Sequence, residues 1–143
     1  MKEIEVKRLK PFFDMEGELF ETLRSDDDLF SGKFGQNLIS IVKPGIIKGL
    51  HLHRDQTEYT TCLKGNILYL AIKEEEGNTE VWKEIIGEKN RILVKTPPGI
   101  WHGYTPLDEK EAIILYTMDR PYDAKNPDTL ERATNYFGNI WQV

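Results

Sequence analysis

The sequence predicts an all-β fold, a small antiparallel β-barrel of the jelly-roll type. Three observations predict it. Short runs rich in β-forming residues dominate the chain. Gly- and Pro-containing turns separate them at roughly ten-residue spacing. Helix signals are confined to one short stretch near the end.

In chain order, residues 34–42, 46–53 and 57–63 read as the first strands. Lys64-Gly65-Asn66 is a turn signal, and it leads into residues 66–73, an apolar run rich in β-formers. Gly77-Asn78 then precedes a strand over residues 79–86, and Gly-Asn between two such runs is a hairpin signature. Residues 91–95 and 111–118 complete the pattern, with a further strand expected after the turn that ends at His102. The single helix is expected over residues 128–133. Asn126 suits its cap, Pro127 its first turn, and Asp128 its positive end.

Composition bounds the function. A chain of 143 residues fits one domain, residues 1–143. Hydrophobic residues make up 39% and charged residues 30%, an ordinary globular balance. No apolar run approaches the ~20 residues needed to cross a bilayer. The start, Met1-Lys2-Glu3-Ile4-Glu5, lacks the apolar stretch of a signal peptide, so a cytoplasmic protein is expected. Cys62 is the only cysteine, which excludes an internal disulfide and a four-cysteine zinc site. The net charge of −5 argues against a general nucleic-acid binder.

The chemistry concentrates in three histidines. His51 and His53 are two apart on an expected strand, so both side chains leave one face. Glu58 follows after four intervening residues, and His102 lies at the end of Thr96-Pro97-Pro98-Gly99-Ile100-Trp101. Neutral imidazoles and a carboxylate suit a borderline divalent metal such as Zn, Ni, Fe, Mn or Co. A bland reading also exists, in which these residues line a metal-free pocket.

Residues 45–65 read G-x5-H-x-H-x4-E-x6-G, on Gly45, His51, His53, Glu58 and Gly65. Residues 97–102 read P-x-G-x-x-H. The two segments resemble the first and second motifs of the cupins, with Pro106 where an Asn often closes the second. That resemblance implies a cupin double-stranded β-helix whose interior holds one divalent metal on His51, His53, Glu58 and His102.

Other stretches resemble one branch, the dTDP-4-dehydrorhamnose 3,5-epimerase family. Residues 14–21 are similar to its D-x-R-G-x-F-x-E opening. Phe34-Gly35-Gln36-Asn37 and Lys48-Gly49-Leu50-His51 are similar to its F-x-Q-x-N and R-G-L-H segments. Residues 98–104 resemble P-x-G-F-A-H-G-F, residues 115–122 its L-Y-x-x-x-x-x-Y, and Ile140-Trp141 its I-x-W ending. The family inverts carbons flanking the ketone of a nucleotide-linked 4-keto-6-deoxysugar. The resemblance implies His51 as base, Tyr116 as acid and His102 as a stabiliser of the enolate. It implies Gln36 and Lys48 at the nucleotide phosphates, Arg54 as a further substrate contact, and Tyr122 beside the sugar. Imidazole titrates near neutral pH, and a phenol can donate from across the ring.

Departures from the family pattern are specific. Glu16 replaces its opening Arg, Lys48 its Arg before Gly-Leu-His, His53 its Gln, and Glu58 its Lys. Thr134 and Asn135 occupy the stretch where the family keeps an Asp that orients the base. The base and metal roles also compete for His51, because a metal-bound nitrogen has no free lone pair. Two alternatives therefore stand beside the epimerase. One is another metal-dependent cupin, a small-molecule isomerase or dioxygenase; the other is a non-catalytic ligand-binding cupin.

The remaining expectations are structural. Trp82, Trp101 and Trp141 are packing residues, and Cys62 is a small buried apolar residue. Asp26-Asp27-Asp28 and Glu74-Glu75-Glu76 are solvated loops. The family pairs its barrels through N-terminal strands. Residues 2–9 carry alternating apolar positions that suit addition to a neighbour's sheet edge, so a homodimer is expected.

Overall fold

The computed structural model describes all 143 residues and contains twelve strands and no helix. The chain opens with β1 (Glu5–Arg8) and the β2 (Phe12–Asp14) and β3 (Gly17–Leu19) hairpin. It continues through β4 (Gln36–Val42), β5 (Lys48–Leu52), β6 (Glu58–Lys64), β7 (Asn66–Glu75) and β8 (Asn78–Gly87). It ends with β9 (Ile92–Thr96), β10 (Trp101–Pro106), β11 (Ala112–Met118) and β12 (Leu130–Glu131).

Two five-stranded antiparallel sheets face each other. One has the order β1-β9-β6-β11-β4 and the other β12-β5-β10-β7-β8. From β4 onward the chain crosses repeatedly between them, which is jelly-roll connectivity. The inward side chains form the main core, with Cys62, Val94 and Ile114 from the first sheet and Ile67, Tyr69 and Ile86 from the second.

Both sheets are also covered outside. Phe20, Leu23 and Phe30 pack over Leu9, Leu29, Tyr59 and Leu93 of the first sheet side. Phe137, Ile140 and Trp141 pack over Leu50, Ile72 and Trp101 of the second. Burial on both faces explains why residues 66–72 read as an unbroken apolar run rather than an alternating one.

Three sequence expectations are corrected. The helix expected over residues 128–133 is absent, and β12 stands there instead, with Leu130 opposite Leu52 and Glu131 opposite His51. The Asp128 carboxylate, expected to favour a helix end, caps other backbone. It accepts the N–H groups of Arg54, Asp55 and Gln56 at 2.8–2.9 Å. The hairpin turn lies one residue earlier than Gly77-Asn78. Glu75 pairs with Asn78, so Glu76 and Gly77 form the tip, with φ of 50° and 80°. Positive φ at both positions is the type I′ signature that Gly accommodates. Glu74 and Glu75 therefore end β7 rather than lying in a loop, and Glu74 pairs with Arg132 at 2.5 Å.

Strand β5 is irregular where it meets β10. His102 lies opposite His51 but Gly103 opposite Gly49, so Leu50 is an extra residue on β5. Its N–H and C=O turn to Arg132 instead, at 3.3 and 3.0 Å. Such a bulge moves a strand's side chains out of strict alternation. Here it puts Lys48 and His51, three apart, on the same cavity while Leu50 points to the outer cluster. The strands approach closely at this point. A Cβ on Gly103 would lie 2.6 Å from the Lys48 carbonyl oxygen.

Candidate active site

The barrel core gives way at one end to a cavity of about 240 Å³. Its walls carry Lys48 and His51 of β5, His53 just beyond it, and Glu58 at the start of β6. His102 and Tyr104 of β10, Tyr116 of β11, Ser40 of β4 and Thr129 complete the polar lining.

Three of these side chains form a compact group. The donor atoms of His53, Glu58 and His102 all lie within 4.8 Å of one another. His53 Nε2 is 3.6 Å from one Glu58 oxygen, and His102 Nε2 is 3.9 Å from the other. The tautomers follow from the backbone. His53 Nδ1–H donates to the Asp128 carbonyl at 2.7 Å, and His102 Nδ1–H to the Ile100 carbonyl at 3.0 Å. A carbonyl oxygen can only accept, so each ring, when neutral, turns its Nε2 lone pair toward Glu58. A metal-ligating histidine donates its other ring N–H to such a carbonyl, and here the two Nε2 lone pairs converge with the Glu58 oxygens. The donor set therefore fits one borderline divalent ion.

Electrostatics separate the histidines. Burial pushes the His102 imidazole down, and the Glu58 carboxylate only partly offsets it. A neutral His102 with its proton on Nδ1 offers a lone pair, not a proton, to anything in the cavity. Burial opposes charge on His53 too, but the Glu58 carboxylate and the Asp128 carbonyl lift it above its ordinary value. Burial likewise opposes charge on Glu58, yet His53 and His102 hold its carboxyl below the usual range.

His51 stands apart from this group. Its ring centroid is 6.4 Å from that of His102, and its Nε2 is 3.8 Å from the exposed Glu131 carboxylate. Burial pushes its pKa down, so the ring is neutral near pH 7. The geometry thus divides the four expected ligands into a trio and a free imidazole.

On the other side, Tyr116 is 8% exposed and its hydroxyl hydrogen-bonds that of Tyr104. Burial, with the Glu58 carboxylate nearby, pushes the Tyr116 phenol well above its ordinary pKa. It keeps its proton throughout the neutral range.

The expected substrate contacts are dispersed. Lys48 lies on the main cavity, whereas Arg54 and Tyr122 line an adjacent polar pocket of about 220 Å³. Thr129 borders both. Gln36 lines neither, because its Oε1 accepts the Tyr122 N–H at 2.8 Å. Sequence reasoning missed Asp128, whose backbone orients His53, and Tyr104. A tyrosine in a buried strand needs a hydroxyl partner, and that was the available signal for Tyr104.

Comparison with known proteins places these features. The model of the family described as polysaccharide biosynthesis C-terminal domain matches residues 12–130. A spore coat polysaccharide biosynthesis protein, SpsL of Bacillus subtilis, is 32% identical over 87% of this chain and 84% of its own. A probable low-salt glycan biosynthesis epimerase of Haloferax volcanii is 27% identical over 88% and 83%. Among solved structures, a dTDP sugar isomerase from Desulfovibrio desulfuricans superposes with a TM-score of 0.85 at 20% identity, covering 93% of this chain and 85% of that one. That likeness establishes the jelly-roll fold shared with the dTDP-sugar epimerases.

The trio makes a pH-dependent contribution to stability. Without metal, the raised His53 pKa stabilises the fold below the ordinary value of 6.5, and this is lost as pH rises through the raised value. The lowered Glu58 pKa stabilises above 4.5, and this is lost as pH falls through the lowered value. Wild-type protein in chelator should exceed Glu58→Gln in Tm most between those two values, 4.5 and 6.5, with the gap narrowing at higher pH. Paired thermal melts across pH check this, and a gap that widens steadily above neutrality would contradict it.

Proposed function

Because the chain belongs to the polysaccharide biosynthesis C-terminal domain family, we propose that it is an epimerase of a nucleotide-linked 4-keto-6-deoxysugar. It would serve polysaccharide or deoxysugar synthesis. The observation that carries this reading is the pairing, across one cavity, of a neutral imidazole free to take a proton with a buried phenol able to give one. Inversion next to a ketone needs that pair on opposite faces of one carbon. A solved relative from Legionella pneumophila, in complex with dTDP-4-keto-L-rhamnose, supports the substrate class, with a TM-score of 0.81 at 20% identity over 94% of this chain and 74% of that one.

His51 takes the proton from the carbon beside the ketone, and the C–H electron pair passes to the carbonyl oxygen as an enolate. Tyr116 then gives its hydroxyl proton to the opposite face of that carbon and the C=O re-forms. The His51 imidazolium gives its proton up to solvent, and the Tyr116 phenolate regains one from solvent. Lys48 meets the phosphates as a single charge, without the bidentate fork of an Arg. Arg54 and Tyr122 hold the part of the substrate that reaches the adjacent pocket, and Gln36 acts by fixing the Tyr122 backbone.

His53, Glu58 and His102 are proposed to hold one divalent ion of the Zn, Ni, Fe, Mn or Co class. A bound ion there supplies a Lewis acid for negative charge on a substrate oxygen. His51 lies outside the trio, so the metal and the base need not compete for one nitrogen. The same trio would serve a different metal-dependent cupin reaction, and proton exchange separates the two readings.

Two copies are proposed to pair through residues 2–9, because β1 is an edge strand. The hairpin that follows exposes Phe12, Phe13 and Met15. Placement in the cytoplasm is part of this proposal; no helix is long and apolar enough to cross a membrane.

Three outcomes are expected. In deuterated solvent, wild-type protein should place deuterium on a carbon flanking the ketone and yield inverted sugar. Tyr116→Phe should retain exchange while inverted product falls roughly 10²–10⁴-fold; no exchange by wild type on any nucleotide-linked 4-keto sugar would reject the epimerase reading. Elemental analysis of protein purified without a metal-affinity tag should find about one ion per chain, lost in His53→Ala. A metal-free wild type indifferent to added ions would leave the trio as an ion-paired pocket. Sedimentation at micromolar concentration should show a species near twice the chain mass of 16.6 kDa, and only the single-chain species would reject the dimer.

A further inference from the structure

Tyr104 lines the cavity beside Tyr116, and the proposed reaction gives it no role. It is 3% exposed and projects from β10, in the sheet opposite the one that carries Tyr116. The two hydroxyls hydrogen-bond to each other across the barrel interior, and both residues line the cavity. Ser40, on β4, lines the same cavity and acts on the Tyr104 phenol, lowering it against the upward push of burial.

A phenol has one proton to give. If Tyr116 spent its proton on Tyr104, none would face the substrate. If Tyr104 donates to the Tyr116 oxygen, the Tyr116 O–H is released toward the cavity. The Tyr104 oxygen is then free to accept from Ser40. This ordering turns the free Tyr116 proton toward the reacting carbon.

We propose that Tyr104 is a positioning residue for proton delivery: its O–H donates to the Tyr116 oxygen, aims the Tyr116 proton into the cavity and stabilises the phenolate left after transfer. The inference rests on the epimerase reading. The balance is simple. The Tyr116 O–H bond breaks, the new C–H bond forms, and the negative charge moves from enolate to phenolate. There it meets a preorganised donor, and a hydrogen bond to a charged oxygen is stronger than one to a neutral oxygen. Tyr104 itself gives no proton to substrate.

A tyrosine that merely fills the core makes a different forecast. Its hydroxyl would matter for stability and not for how exchange divides from inversion. Tyr104→Phe removes one oxygen and keeps the ring. The experiment compares wild type, Tyr104→Phe, Ser40→Ala, Tyr116→Phe and the double Tyr104→Phe/Tyr116→Phe variant on a nucleotide-linked 4-keto sugar in deuterated solvent. Each is read for melting temperature, KM, inversion kcat and the ratio of exchanged to inverted sugar.

The expected result for Tyr104→Phe is a KM near wild type and a kcat for inversion lower by about 10²-fold, the cost of one lost oxyanion donor. The ratio of exchange to inversion should rise. Ser40→Ala should change that ratio in the same direction by less, and it keeps the inference testable if Tyr104→Phe does not fold. The double variant should be no slower than Tyr116→Phe alone, since Tyr104 acts only through it. Wild-type partition and kcat in Tyr104→Phe or, should that variant not fold, in Ser40→Ala, overturn this inference alone. Absence of both exchange and inversion in the wild-type protein overturns the epimerase reading and this inference with it.

Discussion

A carboxylate at 4% exposure is the constraint around which the site is arranged. An isolated buried charge is strongly unfavourable unless it is paired and hydrogen-bonded. Glu58 is met by the Thr60 hydroxyl at 2.8 Å and by His53, whose pKa is raised and whose Nε2 lies 3.6 Å away, while His102 Nε2 faces the other oxygen at 3.9 Å. Those rings can face it only if their Nδ1–H groups are accepted elsewhere, which the Asp128 and Ile100 carbonyls do. Asp128 in turn keeps its place because its carboxylate takes three backbone N–H groups of the loop after β5. One buried charge thereby ties β6, β10, the β5–β6 loop and the segment before β12 into a single network.

The rest of the fold holds that network still. Each sheet is packed on its inner face by the main core and on its outer face by a separate covering cluster. Strands clamped from both sides have little freedom to tilt, and close-packed interiors resist small displacements. Arg132 adds a staple at the rim. Its guanidinium lies 4.3 Å from the Trp101 ring centroid and 4.0 Å from that of Tyr136, and it pairs with Glu74. Polar residues that must keep a fixed separation thus sit on strands rather than on free loops.

Most of this fold was legible because its strands are bounded by strong turn chemistry and built from β-formers. Residues 66–73 and 79–86 were recognisable without any tertiary information, although the tip between them fell at Glu76-Gly77. The expected helix failed for an identifiable reason. Asn, Pro and Asp make a helix start only when the N–H groups they cap lie in their own segment. Here the Asp128 carboxylate caps residues 54–56, more than seventy positions away in sequence. Within the site, the parity of His51 and His53 was visible, as was Glu58. The split between the trio and His51 was not, because it depends on backbone carbonyls and on an irregularity in β5. Tyr104 was missed because its partner, Tyr116, comes from the opposite sheet.

The extra residue at Leu50 has a consequence for how related chains should be aligned. Upstream of it the even position, Lys48, faces the cavity; downstream the odd positions, His51 and His53, do. A relative lacking that insertion would keep both imidazoles and present a different residue at the mouth, while its interior packing stayed intact. Length at this one position is therefore a form of information separate from residue identity. An alignment that closes the gap by sliding β5 would pair residues that face opposite sides of the sheet.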